Sequence, residues 1–263
     1  MIDFQSLKLE EKPRFDAILQ NCGVRGCEYS FVNLYLWGRQ KAAFYKDHLV
    51  FFSQFNRKSV YLFPVGEGDL APVIEAVIHD AQMRGIPCRF TGLTHDDCAK
   101  LEALFPDKFR YHIDRDGFDY IYDINDLADL SGRKFQKKRN HANRFWQSHP
   151  DYRLEPLTRE NLPVAAAFIE KWYDQRLQTD PQGDFQMEQS AIAKALRHYD
   201  DLELEGLLLT DGTTPLAVTM GSKLNANTFD IHFEKALSIA DGAYAAINQG
   251  FARHLRSKFP QIR

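Results

Sequence analysis

The segment TFDIHFEKA, Thr228 to Ala236, places Asp230, His232 and Glu234 at every second position. In an extended strand these three side chains share one face, while Phe229, Ile231 and Phe233 share the other. Two carboxylates and an imidazole can take a proton from an attacking hydroxyl or amine. Acyl transfer also needs donors that steady an oxyanion, a role open to Lys235 or to an arginine brought from elsewhere. The same alternation is the ordinary outer face of an antiparallel strand, so the segment reads equally as a site or as a solvated surface.

The second chemical signal is GRKFQKKRNHANRFW, Gly132 to Trp146. These fifteen residues hold six Lys or Arg and one His, and no Asp or Glu falls between Asp129 and Asp151. A helix starting near Ser131 puts Phe135, Ala142 and Trp146 on one stripe, with Phe145 at its edge. Arg133, Lys137, Asn140, His141 and Arg144 gather on the other side, and Lys138 and Arg139 flank the apolar stripe. Solvated helices usually mix charge signs to gain i,i+4 pairs. A run without acids repels itself, so it points to phosphates or to an acidic patch elsewhere in the chain.

The whole chain bounds what such a patch means. It has 263 residues, 44% hydrophobic and 26% charged, with a formal net charge of -3. That is a globular balance with room for two modest domains, and any anion binding must be local. The opening residues mix acids and bases, unlike a secretory leader. The longest apolar runs, such as LVFF and GLLL, are too short to span a bilayer. Cys22, Cys27, Cys88 and Cys98 form no CxxC pair, which suits free thiols in a reducing cytosol better than a metal site or disulfides. THDDC reads as a capped helix start rather than a metal site. GxSxG, P-loop and HExxH motifs are all missing.

The elements that must position these groups fall into two α+β halves. In the first, PRFDAILQNC and SFVNLYLWG have helical spacing, with Ser30 as a cap for the second. HLVFFSQF and SVYLFPVG read as a hairpin turning at Asn56 to Lys58. A helix capped by Asp69 and stopped by Gly85 and Pro87 follows. Then come a strand, CRFTGL, and a helix with a Thr94/Asp97 capping box. FRYHIDRDGFDYIYDI alternates around Asp116-Gly117 like another hairpin. In the second half, YRLEPL is a strand and a helix starts at Thr158. A polar loop from Thr179 to Asp184 leads to the helix MEQSAIAKALRHYDDL. Three antiparallel strands turn at Asp211-Gly212 and Asn225 to Asn227. A last helix carries Ala243, Ile247, Gly250, Phe251 and His254 on one face. The predicted boundary gives domains 1–130 and 131–263, the basic helix opening the second, with Phe135 and Trp146 buried.

GRKFQKKRNHANRF resembles the strongest signature of the phosphatidylglycerol lysyltransferase C-terminal domain family, in its small soluble bacterial branch. CEYSFVNLYLW and FDIHFEKALSIADGAYAAINQGFA resemble that branch too, so the likeness runs over nearly the whole chain. It implies two tandem GNAT-like (acyl-CoA N-acyltransferase type) domains with mostly antiparallel mixed sheets flanked by helices. It also implies kinship with enzymes that move an amino acid from aminoacyl-tRNA onto a lipid or a peptide. The basic helix would then meet tRNA phosphates, and peripheral membrane contact becomes a further expectation for a cytoplasmic chain. Of the strand residues, Asp230 carries over best. Glu28, Tyr29 and Asn33 belong to the N-terminal motif, where a structural role explains them. Members of this type continue with a further strand and helix, so a second domain shortened at its C-terminus is expected.

The resemblance also supplies a test for acetyl-CoA. Enzymes of this fold seat its pyrophosphate on a helix N-terminus preceded by Gln/Arg-x-x-Gly-x-Gly/Ala. The corresponding stretch is IADGAY, Ile239 to Tyr244. Gly242 fits, but Ile239 and Tyr244 do not. Asp241, at the expected N-cap, would occupy the amides a pyrophosphate needs. Acetyl-CoA is therefore disfavoured as a cofactor, an aminoacyl-tRNA donor is preferred, and no metal is expected. The alternatives are an acetyl-CoA-dependent N-acetyltransferase and a binding protein that kept the scaffold without chemistry.

Overall fold

The computed structural model describes residues 1–55 and 58–263. The chain forms two compact units, Met1–Tyr120 and Ile121–Arg263.

In the first unit a short strand β1 (Gln5–Ser6) precedes helices α1 (Lys12–Leu19) and α2 (Phe31–Trp37). Strands β2 (Gln40–Tyr45), β3 (His48–Phe55) and β4 (Lys58–Gly66) follow, then α3 (Ala71–Met83), β5 (Phe90–Thr91) and α4 (His95–Leu104). The sheet runs β1-β2-β3-β4-β5, antiparallel except for the β4–β5 pair. Val50 and Tyr61 of the sheet pack against Val73, Val77 and Ala81 of α3. Asp80 is completely buried beside them. Its carboxylate accepts from Tyr61 Oη at 2.8 Å, Arg84 Nε at 2.6 Å and the Ile2 N–H at 2.7 Å.

The local signals act as expected at several helix starts. Ser30 Oγ accepts from the Asn33 N–H at 3.3 Å. Thr94 and Asp97 close their reciprocal capping box. Asp69 Oδ1 accepts from the Ala71 N–H at 3.1 Å, one residue ahead of the helical cap at Leu70. Of the expected turn at Asn56 to Lys58, Asn56 and Arg57 lie outside the described residues. The pairing of Phe55 with Lys58 flanks them.

The expected hairpin around Asp116-Gly117 does not form. Residues 109–123 hold only a single 3-10 turn, Arg115–Gly117, and no strand. Asp114 Oδ1 accepts from the Asp116 N–H at 3.2 Å, and Ile113, Phe118 and Tyr120 stand exposed. Alternation alone cannot make strands where no apolar surface covers one face.

The second unit comprises α5 (Ile124–Asp129), α6 (Gln136–Ser148), β6 (Tyr152–Pro156), α7 (Leu162–Thr179), α8 (Gln186–Arg197), β7 (Glu205–Asp211), β8 (Thr214–Lys223), β9 (Phe229–Ala236) and α9 (Ala243–Lys258). Its sheet is antiparallel throughout, in the order β6-β7-β8-β9. Helix α7 starts at Leu162, later than the expected Thr158, because Asn161 Oδ1 turns back to accept from the Thr158 N–H at 2.7 Å.

The division falls before α5, whereas the sequence placed it after residue 130. Helix α5 is tied to α9: Gln249 Nε2 and Arg253 Nε donate to the Ala128 carbonyl at 3.1 and 2.9 Å. Arg256 pairs with Asp129 at 2.9 Å. Residues 121–130 therefore fold with the second unit. Both units are α+β, with mostly antiparallel sheets flanked by helices. Among the described residues no helix is long and apolar enough to cross a membrane.

Candidate functional site

The basic segment forms α6, which begins at Gln136 rather than near Ser131. Ala142 and Phe145 are fully buried and Phe135 nearly so, and Phe135 and Ala142 cluster with Leu130. Trp146 is only partly buried, at the edge of this cluster. The buried stripe thus centres on Phe145, which the helical wheel had put at the margin. Phe145 takes that place because the start of α9 packs directly on it, the Gly242 backbone leaving room for nothing larger.

The basic side chains divide into engaged and free. Arg139 donates to the carbonyls of Leu130 and Gly132, closing the turn between α5 and α6. Arg144 Nη1 lies 3.1 Å from Asp241 Oδ2, and His141 Nδ1 lies 3.6 Å from the other oxygen. Lys134 is 3.9 Å from Asp126. Lys138 Nζ donates to Asn248 Oδ1 at 3.2 Å. Arg133, Lys137 and Asn140 are exposed, and among the described residues neither Arg133 nor Lys137 has an acid partner.

Strand β9 does not keep the alternation its sequence suggests. Ile231 pairs with Gly221 and Phe233 with Met220, so β9 carries one extra residue, His232, between successive partners on β8. Such a bulge reverses the facing of everything beyond it. Directly paired residues share a face. Asp230 therefore lies on the side of Ser222, Met220 and Lys235, and Glu234 on the side of Thr219 and Phe229. The first side is covered by α7 and α8, since Lys235 Nζ donates to Glu188 Oε1 of α8 at 2.8 Å and sits over the Trp172 ring. The second side faces α9, since Phe229 packs edge-on to Phe251 and Asn248 Nδ2 donates to Glu234 Oε2 at 3.4 Å.

The three strand residues are thus split. His232 Nε2 lies 2.8 Å from Ser222 Oγ, and its Nδ1 lies 3.4 Å from Asp230 Oδ2. Nδ1 and Oδ2 are close without a hydrogen bond between them, and the ring's hydrogen bond is to the Ser222 hydroxyl. The order Ser-His-Asp is that of a nucleophilic triad, but the imidazole is 1% exposed and Ser222 2% exposed. Burial pushes His232 down to about 3, so the ring is neutral. An internal strut explains these residues. Lys235, anchored on Glu188, stands with Asp230 on that same side, away from Glu234.

Glu234 reaches an open site. A cavity of about 660 Å³ lies between α6, the end of β9 and the start of α9. Lys134, Lys137, Lys138 and His141 line one wall, and Glu234 and Asn248 lie deeper. Leu237, Ala240 and Ala243 give it an apolar side. Glu234 is partly buried, and burial raises its carboxyl above the ordinary value of 4.5, against the opposing pull of Asn248 and the Lys138 charge. A carboxyl perturbed by burial in a concave site marks a candidate for acid–base chemistry.

The start of α9 also borders this cavity. Its N-cap is Gly242, at φ +85° and with no side-chain cap. Asp241, expected to cap the helix, turns instead to Arg144 and His141. Its carboxylate therefore does not occupy the helix amides, although the Ala243 N–H already donates to the Ala240 carbonyl at 3.0 Å, and one of the three sequence objections to a phosphate there is removed. The other two remain, since Ile239 and Tyr244 are exposed at 85% and 45%.

The family described as phosphatidylglycerol lysyltransferase, C-terminal, matches residues 20–263. The chain belongs to this family. A conserved protein of unknown function from Bacteroides thetaiotaomicron VPI-5482 is similar at 35% identity, with a TM-score of 0.92 over 98% of this chain and 88% of that one. The C-terminal domain of a candidate lysylphosphatidylglycerol synthetase from Agrobacterium fabrum shares the fold at 14% identity and a TM-score of 0.59, covering 95% of this chain and 76% of that one. No curated protein matches the chain.

The structure thus brings Glu234, Lys137 and His141 together and leaves Asp230, His232 and Lys235 on the opposite face of the sheet. Sequence reasoning missed Asn248; Lys138, placed beside the apolar stripe, turns inward to meet it. A signal for Asn248 was present, as a polar residue between the inward-facing Ile247 and Phe251 of an otherwise apolar helix face. Elsewhere, the donor atoms of Cys27, Glu28 and Asp119 lie within 4.8 Å of one another, and Asp119 Oδ2 accepts from the Cys27 N–H at 2.8 Å. The four cysteines are free thiols.

Proposed function

We propose that this chain is an aminoacyl or acyl transferase built on two GNAT-like units, with an aminoacyl-tRNA as donor and a lipid or peptide as acceptor. The observation that carries the reading is the cavity in which cations of α6 converge with the raised carboxyl of Glu234. In this reading the exposed Arg133 and Lys137, with Lys134 and His141, hold donor phosphates. Glu234 accepts a proton from the attacking amine or hydroxyl. Lys138 steadies the oxyanion as the tetrahedral carbon forms, and its collapse breaks the ester bond and expels the ribose oxygen of the tRNA, which takes up the proton held by Glu234. A four-stranded antiparallel sheet with a bulged last strand running into a helix supports the acyltransferase comparison. A cytoplasmic location would give the chain access to charged tRNA.

The test is filter binding of charged and uncharged tRNA to the full chain, followed by hydrolysis or transfer of the aminoacyl ester. Charged tRNA should bind, and Glu234→Gln should bind it equally while turning over the ester far more slowly. Absence of tRNA affinity at low salt would overturn the reading and favour a binding protein without chemistry.

One observation favours a second reading, a pyrophosphate-bearing acyl donor such as acetyl-CoA: Asp241 leaves the start of α9 uncapped. Calorimetry separates the two, since acetyl-CoA should bind weakly if Ile239 and Tyr244 exclude it.

A further inference from the structure

Asn248 occupies a position that neither the sequence nor the family likeness assigns. It sits on α9 between the acid and the base of the cavity. Its Nδ2 donates to Glu234 Oε2 at 3.4 Å, and its Oδ1 accepts from Lys138 Nζ at 3.2 Å. The two bonds fix the amide's orientation, because a carboxylate cannot donate to the oxygen and an ammonium cannot accept from the nitrogen. The amide therefore bridges a cation and a carboxylate, bonded to one through its oxygen and to the other through its nitrogen. A direct pair would hold Glu234 ionised and neutralise Lys138, which suits neither a base nor an oxyanion donor.

We propose that Asn248 is a positioning residue that keeps Lys138 and Glu234 at one remove, so that the carboxyl stays poised as a proton acceptor and the ammonium stays free to face the reacting oxygen. The role as base rests on the transferase reading, but the spacing does not. The charged and titratable groups facing Glu234 are known from each neighbouring element. Lys134, Lys137, Lys138 and His141 come from the α6 side, Asp241 and Tyr244 from the start of α9, and Tyr122 from the segment before α5. Thr219 lies across the strand pair and carries no charge. Lys138 is the cation whose charge acts on Glu234, and its attraction lowers the carboxyl against burial.

The experiment is a carbon-13 NMR titration of the full chain labelled at glutamate side chains, the Glu234 signal being assigned with Glu234→Gln. Asn248→Asp replaces the donor with a second carboxylate of the same size. It should pair directly with Lys138 and repel Glu234, raising the Glu234 midpoint by about one pH unit. The acid limb of the transfer rate should move by the same amount, while the salt dependence of tRNA binding stays as in the parent. Asn248→Ala is the uncharged variant: the positioning role predicts a Glu234 midpoint that falls as Lys138 and the carboxylate pair directly, whereas a structural role alone would lower stability without that fall. Lys138→Gln is the third variant, and it should raise the Glu234 midpoint by a smaller step. If Asn248→Asp does not fold, Asn248→Ala decides. An unchanged Glu234 midpoint in the variant that folds overturns the positioning role. A shifted midpoint in a chain that binds no tRNA keeps the positioning role and removes the transferase reading.

Discussion

Arg144 and Asp241 meet at 3.1 Å across the start of α9, and Gly242, next in the chain, presses its backbone against the His141 carbonyl. The ion pair is exposed, with 56% of the Arg144 side chain and 64% of the Asp241 side chain in water. Such pairs contribute roughly 0.2–1 kcal/mol and weaken with salt. Arg144→Gln should therefore unfold within that range of the parent. Gly242→Ala should behave differently. Gly242 holds φ +85°, and an added Cβ would sit 2.2 Å from the His141 carbonyl oxygen. The clash is with backbone, so α9 must move away from α6 at a cost of about 2 kcal/mol or more. Urea denaturation of both variants checks the contrast, which fails if Gly242→Ala is as mild as Arg144→Gln.

Burial also gives Glu234 a signature in stability. Its folded pKa is raised above the ordinary 4.5, chiefly by burial. The folded chain then binds more protons than the unfolded chain between those two values, so this group lowers stability as pH rises through the window. Glu234→Gln removes the ionised form. It should raise the denaturation midpoint at pH 7.5, by roughly 1.4 kcal/mol for each unit of displacement, and leave it unchanged below pH 4. A variant less stable than the parent at pH 7.5 would show that the carboxylate is held by partners rather than penalised.

The sequence shows the element types of the second unit well and the geometry of its site poorly. Apolar runs separated by Asp211-Gly212 and Asn225 to Asn227 mark β7, β8 and β9, because local turn chemistry and hydrophobic runs coincide there. The bulge at His232 leaves no such mark. It arises from the register between β8 and β9, a pairwise property, and it alone moves Glu234 away from Asp230 and His232. In the same way, a helical wheel shows that α6 has an apolar side but not which neighbour presses on it. Close approach of Gly242 makes Phe145, rather than Trp146, the buried anchor. Short elements such as β2 and α5 escaped for a different reason. QKAAFY and INDLAD carry too few residues for a period, and tertiary contacts hold them in place.

The Asp80 network gives a third prediction, confined to the first unit. Its carboxylate is fully buried and accepts from Tyr61, Arg84 and the Ile2 N–H. Burial alone would raise its pKa, but these three donors outweigh it and hold Asp80 below the ordinary value. The stabilisation is therefore present above the unfolded pKa and fades as pH falls toward the folded one. Asp80→Ala leaves Arg84 and Tyr61 without their buried partner and should cost about 3–5 kcal/mol at pH 7. The loss should shrink below pH 4. Hydrogen exchange should show it in β4 and α3, while α9 keeps its protection. Equal loosening of α9 would contradict the separate cores of the two units.

The last prediction concerns what α6 binds. Arg133 and Lys137 are exposed without acid partners among the described residues, and Lys134 has only a loose contact with Asp126 at 3.9 Å. Arg144, grouped with them on the helical wheel, is already engaged by Asp241. If the free cations neutralise tRNA phosphates, the logarithm of affinity should fall with the logarithm of salt by roughly 0.7–0.9 per contact. Arg133→Gln, Lys134→Gln and Lys137→Gln together should flatten that slope by about two to three units on the same rule. Arg144→Gln should change it by less than one such contact. Thermal stability should hardly move in either variant, since none of these side chains is buried. Arg139→Gln is the contrast: its guanidinium closes the α5–α6 turn, and losing bonds to two carbonyls should cost about 1–3 kcal/mol with little effect on the slope. tRNA binding across a salt series, alongside melting curves, reads all three. A triple variant that binds as tightly and with the same slope as the parent would assign the basic face of α6 to solubility alone and leave the cavity without its electrostatic entrance.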